Sequence, residues 1–130
     1  MPVYSNSLPP SAIWPGDFAQ VWNAEQPTPG SGGVSASQRV ALGVKEGGPG
    51  GFAVTGFFSG APGSFEIDVQ VSDVDADGQY QTINIGPITA VDSTNFTFNL
   101  QAPNYSASFV RLLMRSRTNA VNVTADIRRL

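Results

Sequence analysis

The chain contains no cysteine and no histidine among its 130 residues. This absence excludes disulfides, thiolate or imidazole catalysis, and the usual zinc, haem and iron–sulfur sites. Charged residues are also scarce, at 13% of the chain against about 25% in an average domain. Together with a net charge of -3, this scarcity argues against general nucleic-acid binding.

The chain shows no sequence signal for a membrane span or for secretion. No apolar run approaches the roughly 18 residues that cross a bilayer. The first residues, MPVYSNSLPP, lack the pattern of a signal peptide, so we expect synthesis in the cytoplasm without a signal peptide.

Proline is concentrated at the N terminus, where residues 1–33 hold six of the ten prolines. Proline fixes φ and removes a hydrogen-bond donor, so this stretch is predicted to form an extended arm rather than a core strand. A short helical turn is predicted inside it, with Asp17 as the cap. Disordered linkers carry few aromatics. We therefore predict that Trp14, Phe18 and Trp22 anchor the arm, either on its own domain or on a neighbour.

Residues 34–130 alternate apolar and polar side chains with a period of two. The clearest example is FEIDVQVS at 65–72, and the alternation recurs over seven or eight short segments. Such alternation is typical of strands with one buried and one solvated face. With turn signals at near-regular spacing, it predicts an all-β domain over residues 34–130, an antiparallel β-sandwich of jelly-roll type.

The acidic segment DVDADG offers the one candidate for metal chemistry. Asp73, Asp75 and Asp77 precede Gly78 at the spacing with which calcium loops begin. An EF-hand would need a Glu where Asn84 stands, and it would need flanking helices. The alternative is a hairpin turn that uses Asp and Gly because they tolerate left-handed backbone. We therefore expect no cofactor, with calcium at these three aspartates as the only candidate.

Positive charge is concentrated at the C terminus. Residues 106–130 carry five arginines and one acid, whereas residues 1–105 carry two basic and nine acidic side chains. Arg111, Arg115 and Arg117 are predicted to form a strip on one strand face, suited to bidentate recognition of carboxylates on an adjacent copy. A solvated outer strand face is the alternative.

Catalytic patterns are weak. Glu66 and Asp68 share one face of a strand that is predicted to be solvated, and the chain has no G-x-S-x-G motif. We expect no enzymatic activity. Exposed aromatics could instead bind a sugar, with Tyr80 beside the acidic turn as one platform; the other aromatics considered are Tyr4, Trp14, Trp22 and Tyr105.

The segments GFAVTGFFSGAPGSFEIDVQVSDVDADGQYQTI and FVRLLMRSRTNAVNVTADI give the chain a family resemblance. Over about residues 50–128 it resembles the small β-sandwich virion proteins of tailed bacteriophages. The resemblance implies a structural role, as a capsid decoration (cement) protein or as an accessory component of the head or tail, and it supplies no catalytic residues.

The sequence therefore predicts a non-enzymatic virion protein that binds the major capsid protein at the capsid surface and associates with copies of itself, with a trimer expected. Trp14, Phe18 and Trp22 would anchor the arm, and the arginine strip would fix register against acidic neighbours. Neither nucleic acid nor membrane is expected as a partner. The alternatives are a sugar-binding module of a tail or adhesin, and a tail or head–tail accessory protein.

Overall fold

The computed structural model describes residues 12–30, 36–43, 51–105 and 107–130. These ranges contain strands β1 (Ala12–Ile13), β2 (Phe18–Glu25), β3 (Val40–Leu42), β4 (Phe52–Phe58), β5 (Phe65–Ser72), β6 (Gln81–Thr82), β7 (Thr97–Ala102), β8 (Phe109–Arg117) and β9 (Val123–Arg129). A short 3-10 helix, Asp77–Gln79, lies between β5 and β6. Within these ranges the chain forms no helix long and apolar enough to cross a membrane.

The strands form two sheets, which confirms the predicted β-sandwich. One sheet has five strands in the order β1-β3-β8-β5-β6, and the other has four in the order β2-β9-β4-β7. The pairing of β1 with β3 is parallel, and the remaining pairs of named strands are antiparallel. The predicted hairpin across the acidic segment is present, although β6 covers only two residues of the expected 80–85 strand.

The core lies between the inner faces of the two sheets. It is built by the alternate residues of β4, β5, β8 and β9 that the period-two pattern marked as buried. The largest fully buried side chains are Phe52, Phe58, Ile67, Leu112, Leu113, Met114 and Ile127. Of these, Leu113 faces away from the core, and its burial shows that the outer face of β8 is covered as well.

The outer face of the five-stranded sheet is buried along much of β5 and β8, contrary to the prediction of a solvated face. Asp68, Gln70 and Ser72 on β5 are each less than a tenth exposed, as is Arg111 on β8. The loop that follows β5 folds back onto this face and places its own side chains there. Period-two patterning therefore located the strands correctly but did not show that a polar face would be covered.

The stretch that we predicted to be an arm contributes a strand to each sheet. Of residues 1–33, those at 1–11 and 31–33 lie outside the described residues. β1 joins the five-stranded sheet and β2 pairs along β9, from Phe18 opposite Arg128 to Glu25 opposite Val123. The predicted helical turn at Asp17 is wrong, because this segment gains its hydrogen bonds from β9 as a strand.

The C-terminal strand ends on a buried cation rather than at a frayed end. Arg129 is 5% exposed. Its Nε donates to the carbonyl of Gly43 at 2.9 Å, and its Nη1 donates to the carbonyl of Gly51 at 2.7 Å. The guanidinium thereby ties together the two ends of the connection between β3 and β4.

Gly56, in the middle of β4, provides a test of core packing. A Cβ at this position would lie 2.4 Å from the carbonyl oxygen of Thr124 and 2.5 Å from Cζ of Phe98. Substitution of Gly56 by Ala should therefore destabilise the fold by about 1–3 kcal/mol through overpacking. Urea unfolding measures this loss, with Gly78→Ala as the matched control because a Cβ at Gly78 has no atom within 4 Å among the described residues. Equal stability of the two variants would contradict this account of the packing.

Asp92 provides a test of pH dependence. Its carboxylate accepts hydrogen bonds from the backbone N–H of Asn95 at 2.7 Å, from the hydroxyl and N–H of Thr97, and from the N–H of Thr94. These bonds, with that from Asn95 the largest cause, hold the pKa of Asp92 well below its ordinary value. Because the folded-state pKa is lowered, the stabilisation is present above the unfolded-state pKa of about 3.9 and is lost as the pH falls below it.

We expect Asp92→Ala to lower the unfolding midpoint at about pH 7, with the difference from wild type shrinking towards about pH 3. Thermal unfolding across this range provides the measurement. Glu25→Gln is the control, since this exposed acid on β2 accepts a single backbone hydrogen bond, from Asn23. A difference for Asp92→Ala that is constant with pH would show that the carboxylate charge plays no part.

Candidate interaction surface and buried charge network

A tight turn carries the chain from the five-stranded sheet to the four-stranded sheet. The N–H of Asp17 donates to the carbonyl of Trp14 at 2.8 Å, which closes a four-residue turn. Pro15 and Gly16 occupy its central positions, and Gly16 has a φ of 93°. Proline followed by glycine at these positions is the signature of a type II turn. The sequence W-P-G-D carried this signal, and it would have placed a chain reversal here instead of a helix cap.

Two aromatic side chains flank this turn and face solvent. Trp14 is 53% exposed and Phe18 is 54% exposed. The Trp14 ring lies against Gly43, where a Cβ would come within 2.5 Å of Trp14 Cε3. The guanidinium carbon of Arg128 lies 4.8 Å from the centroid of the Phe18 ring. We call Trp14, Phe18 and Arg128 the aromatic edge.

Trp22, the third predicted anchor, is placed differently. It is 3% exposed and belongs to the hydrophobic core. It lies opposite Ala125 of β9, on the inner face of the four-stranded sheet. Its burial makes it a packing residue of its own domain and removes it from any surface that a partner can reach.

On the opposite side of the molecule, the acidic loop is fixed to the five-stranded sheet by buried charges. Arg39 and Asp75 form an ion pair between Nε and Oδ2, and both side chains are almost completely buried. Removing two charges from water is costly, and the cost is offset only where each charge is well paired. This pair therefore holds the loop firmly against the segment that leads into β3.

Arg111 forms the second half of the same network. Its Nε donates to Oε1 of Gln70 at 2.9 Å, and its Nη1 donates to Oδ1 of Asp77 at 3.0 Å. The ring of Tyr80 covers the guanidinium, with the ring centroid 4.1 Å from Cζ. The Tyr80 hydroxyl donates to Oδ1 of Asp75 at 3.3 Å, which connects the two ion pairs. We call Arg39, Asp75, Asp77, Tyr80 and Arg111 the loop network.

Tyr80 stays protonated in this environment. Burial is the main cause that raises the pKa of its hydroxyl far above the ordinary value, and the negative charge of Asp75 adds to the effect. The neutral phenol is thus a hydrogen-bond donor throughout the physiological pH range. With Arg111 stacked on one face of the ring, Tyr80 is poorly placed to act as the sugar platform considered from sequence.

The three arginines of the predicted strip bond to groups of their own chain, although Arg115 stays 40% exposed. Arg111 is buried, Arg115 pairs with Asp68 and lies 3.7 Å from Glu66, and Arg117 donates to the carbonyls of Pro27 and Asn119. Carboxylates face Arg111 and Arg115, and these carboxylates belong to the same chain rather than to a neighbouring copy. The reason is cross-strand register, since β5 lies beside β8 and brings Asp68 and Gln70 alongside the arginines.

The three aspartates of the calcium prediction point to different partners. Asp75 pairs with Arg39, Asp77 pairs with Arg111, and Asp73 accepts a hydrogen bond from the N–H of Ser108 at 3.1 Å. In the described part of the chain there is no group of three or more acidic side chains arranged to hold a metal ion. The loop is held in place by ion pairs of its aspartates with Arg39 and Arg111.

The other aromatics considered for sugar binding are dispersed. The hydroxyl of Tyr105 donates to Oδ1 of Asn84. Tyr4 lies outside the described residues. Trp22 is buried in the core, and Arg111 covers one face of the Tyr80 ring.

Comparisons of the chain with models of known protein families, with curated protein sequences and with solved structures give no match.

The loop network provides a test by double substitution. Arg39→Met leaves Asp75 without its buried cation, and we expect a loss of about 3–5 kcal/mol in the free energy of unfolding. The double variant, Asp75→Asn with Arg39→Met, should lose less free energy of unfolding than the sum of the losses in the two single variants, because it buries no carboxylate or guanidinium without its partner. Urea unfolding of the four proteins gives the coupling energy. Arg128→Ala is the control, because it removes an exposed cation and should lower the free energy of unfolding by no more than about 1 kcal/mol. A similarly small loss for Arg39→Met would contradict the stabilising role of the loop network.

Proposed function

We propose that this chain is a non-enzymatic structural protein of a tailed-phage virion, a capsid decoration protein that binds the major capsid protein and associates with copies of itself. The observation that carries the proposal is the aromatic edge, where two large aromatic side chains are more than half exposed beside an arginine. Tryptophan and arginine are enriched among the residues that dominate binding energy at protein interfaces, and aromatic residues as a group are enriched at interface cores.

The rigidity of the aromatic edge supports a docking role. Trp14 and Phe18 stand on either side of a turn whose backbone is held by the N–H of Gly16, which donates to the carbonyl of Arg129 at 2.9 Å. Arg129 in turn donates to Asp17, also at 2.9 Å. A segment whose backbone is fixed before binding loses less conformational entropy when a partner covers it.

The distribution of charge also supports an assembly role. Arg111, Arg115, Arg117 and Arg129 all bond within the chain, whereas Arg128 is exposed at the aromatic edge. The chain as a whole is low in charge, with 13% charged residues, which suits close packing among neighbours on a symmetric shell. Closed oligomers are common among such proteins, and a trimer is the assembly we propose.

The resemblance of residues 50–128 to small β-sandwich virion proteins is the reason why we propose a virion as the place where the chain acts. The same resemblance admits an accessory protein of the head–tail connection or tail. Cryo-electron microscopy of virions distinguishes these positions, because a decoration protein occupies the lattice at high copy number.

The decisive experiment measures incorporation into particles. Virions assembled with wild-type chain are compared with virions assembled with Trp14→Ala/Phe18→Ala, and the copy number is determined by quantitative mass spectrometry. We expect incorporation to fall by about tenfold or more, since each anchor contributes at least 1–2 kcal/mol at a typical hot spot. Ile85→Ala is the matched control, because Ile85 is a similarly exposed apolar residue (44%) outside the aromatic edge.

Circular dichroism should show that the double variant remains folded, since both side chains are largely exposed. Absence of the wild-type chain from the head would overturn the decoration proposal. Full incorporation of the folded double variant would overturn the role of the aromatic edge.

A further inference from the structure

The outer face of the four-stranded sheet carries an open cleft of about 400 Å³. This volume lies within the range of about 300–1,000 Å³ that is typical of small-molecule sites. The cleft is on a different face from the loop network, and its residues were not among those considered from sequence.

Strand register explains how the cleft is built. Thr55 of β4 lies opposite Asn99 of β7 on one side and Asp126 of β9 on the other. Two residues along, Phe57 lies between Thr97 and Thr124 in the same way. Residues two apart on a strand face the same side. The outer face therefore presents two parallel rows of three side chains, which we call the cleft grid: Asp126, Thr55 and Asn99, then Thr124, Phe57 and Thr97.

Asp126 is the unusual member of the cleft grid. Its Oδ1 is shielded from solvent and has no hydrogen-bond partner within the described part of the chain. Buried polar atoms in folded proteins are nearly always bonded, so such an exception needs an explanation. The side-chain torsion that orients an aspartate carboxylate is broad, and a modest rotation can turn this oxygen towards the cleft that Asp126 lines. A ligand that donates a hydrogen bond would satisfy it.

The neighbouring polar groups are already oriented. Oδ1 of Asn99 accepts a hydrogen bond from Nε2 of Gln101 at 2.8 Å, which leaves the Nδ2 group of Asn99 to donate. Oγ1 of Thr124 accepts from the N–H of Ala24 at 3.1 Å, which leaves its hydroxyl hydrogen to donate. The cleft grid thus combines a carboxylate acceptor with amide and hydroxyl donors across three strands.

The charges near the cleft select a neutral ligand. Asp126 and Arg128, two residues further along β9 on the same face, carry opposite charges that offset each other, so an ion of either sign gains little net attraction here. Phe57 adds an apolar surface, since this residue is 47% exposed. A neutral sugar fits this cleft, because it both donates and accepts hydrogen bonds, carries no charge and has an apolar C–H face.

We propose that the cleft grid is a binding site for a neutral saccharide, with Asp126 and Asn99 bonding its hydroxyl groups and Phe57 contacting its C–H face. Binding of a saccharide at this site goes beyond capsid decoration and does not depend on it. On a virion surface, such a site would let the protein contact glycans outside the particle.

Nuclear magnetic resonance titration of the full chain tests the site. The probes are three neutral disaccharides (lactose, cellobiose and N,N′-diacetylchitobiose), and the signals followed are the Asn99 side-chain amide and the backbone amides of Thr55 and Thr124. We expect saturable shifts at these positions with at least one probe. Asp126→Ala and Asn99→Ala should each weaken the affinity by about tenfold, the effect of losing a hydrogen bond to a charged or polar group. Glu25→Gln, an acid on the same sheet outside the cleft, should leave the affinity unchanged.

A stability measurement separates binding from a structural role. Asp126→Ala should keep or raise the unfolding midpoint, because Oδ1 has no protein hydrogen bond to lose. A clear fall in the midpoint would overturn the assignment of Asp126 as a ligand-binding group.

Two outcomes of the titration would overturn the proposal. Shifts of the cleft signals with calcium chloride but with none of the sugars would identify a cation site instead. The absence of shifts with all three sugars would show that no such saccharide binds. Incorporation of Asp126→Ala into virions at the wild-type level would show that the cleft acts independently of the aromatic edge.

Discussion

The buried pairing of arginine with aspartate over the five-stranded sheet is the constraint on which the rest of this structure depends. A guanidinium group is costly to bury unless a carboxylate and further hydrogen bonds meet it. Arg39 and Arg111 therefore require Asp75 and Asp77 to fold back across β5 and β8, and the loop that does so covers polar side chains that a sandwich normally leaves in water. This sheet is thus covered on its inner face and over much of its outer face, and the surfaces that we assign to binding lie elsewhere.

Those surfaces are neighbours along β9. Arg128 lies opposite Phe18 of the aromatic edge, whereas Asp126, two residues earlier on the same strand face, lines the cleft grid. The edge presents apolar rings on a rigid turn, which suits a protein partner. The cleft presents an unpartnered acceptor among oriented donors, which suits a small hydroxylated ligand. The two surfaces therefore differ in chemistry although they share a strand.

This arrangement explains what most of the C-terminal arginines do. Four of the five C-terminal arginines are used to hold the chain together, by pairing with its own acids or by bonding its own carbonyls. The excess of positive charge at the C terminus therefore reports on internal pairing between β8, β5 and the acidic loop. It does not describe a free basic surface.

The sequence by itself determined the sandwich and most of its strands, because alternation with a period of two follows from local backbone geometry and the burial of one sheet face. It did not reveal the fate of the first strands: in Trp14-Pro15-Gly16-Asp17 the turn signal was present, but the strand that follows is held by β9, about a hundred residues away. The burial of Trp22, the pairing of Arg111 with Asp77 and the cleft around Asp126 were decided only by tertiary structure. Each depends on which strands become neighbours and in which register, and contacts between residues distant in the chain leave no local pattern in the sequence.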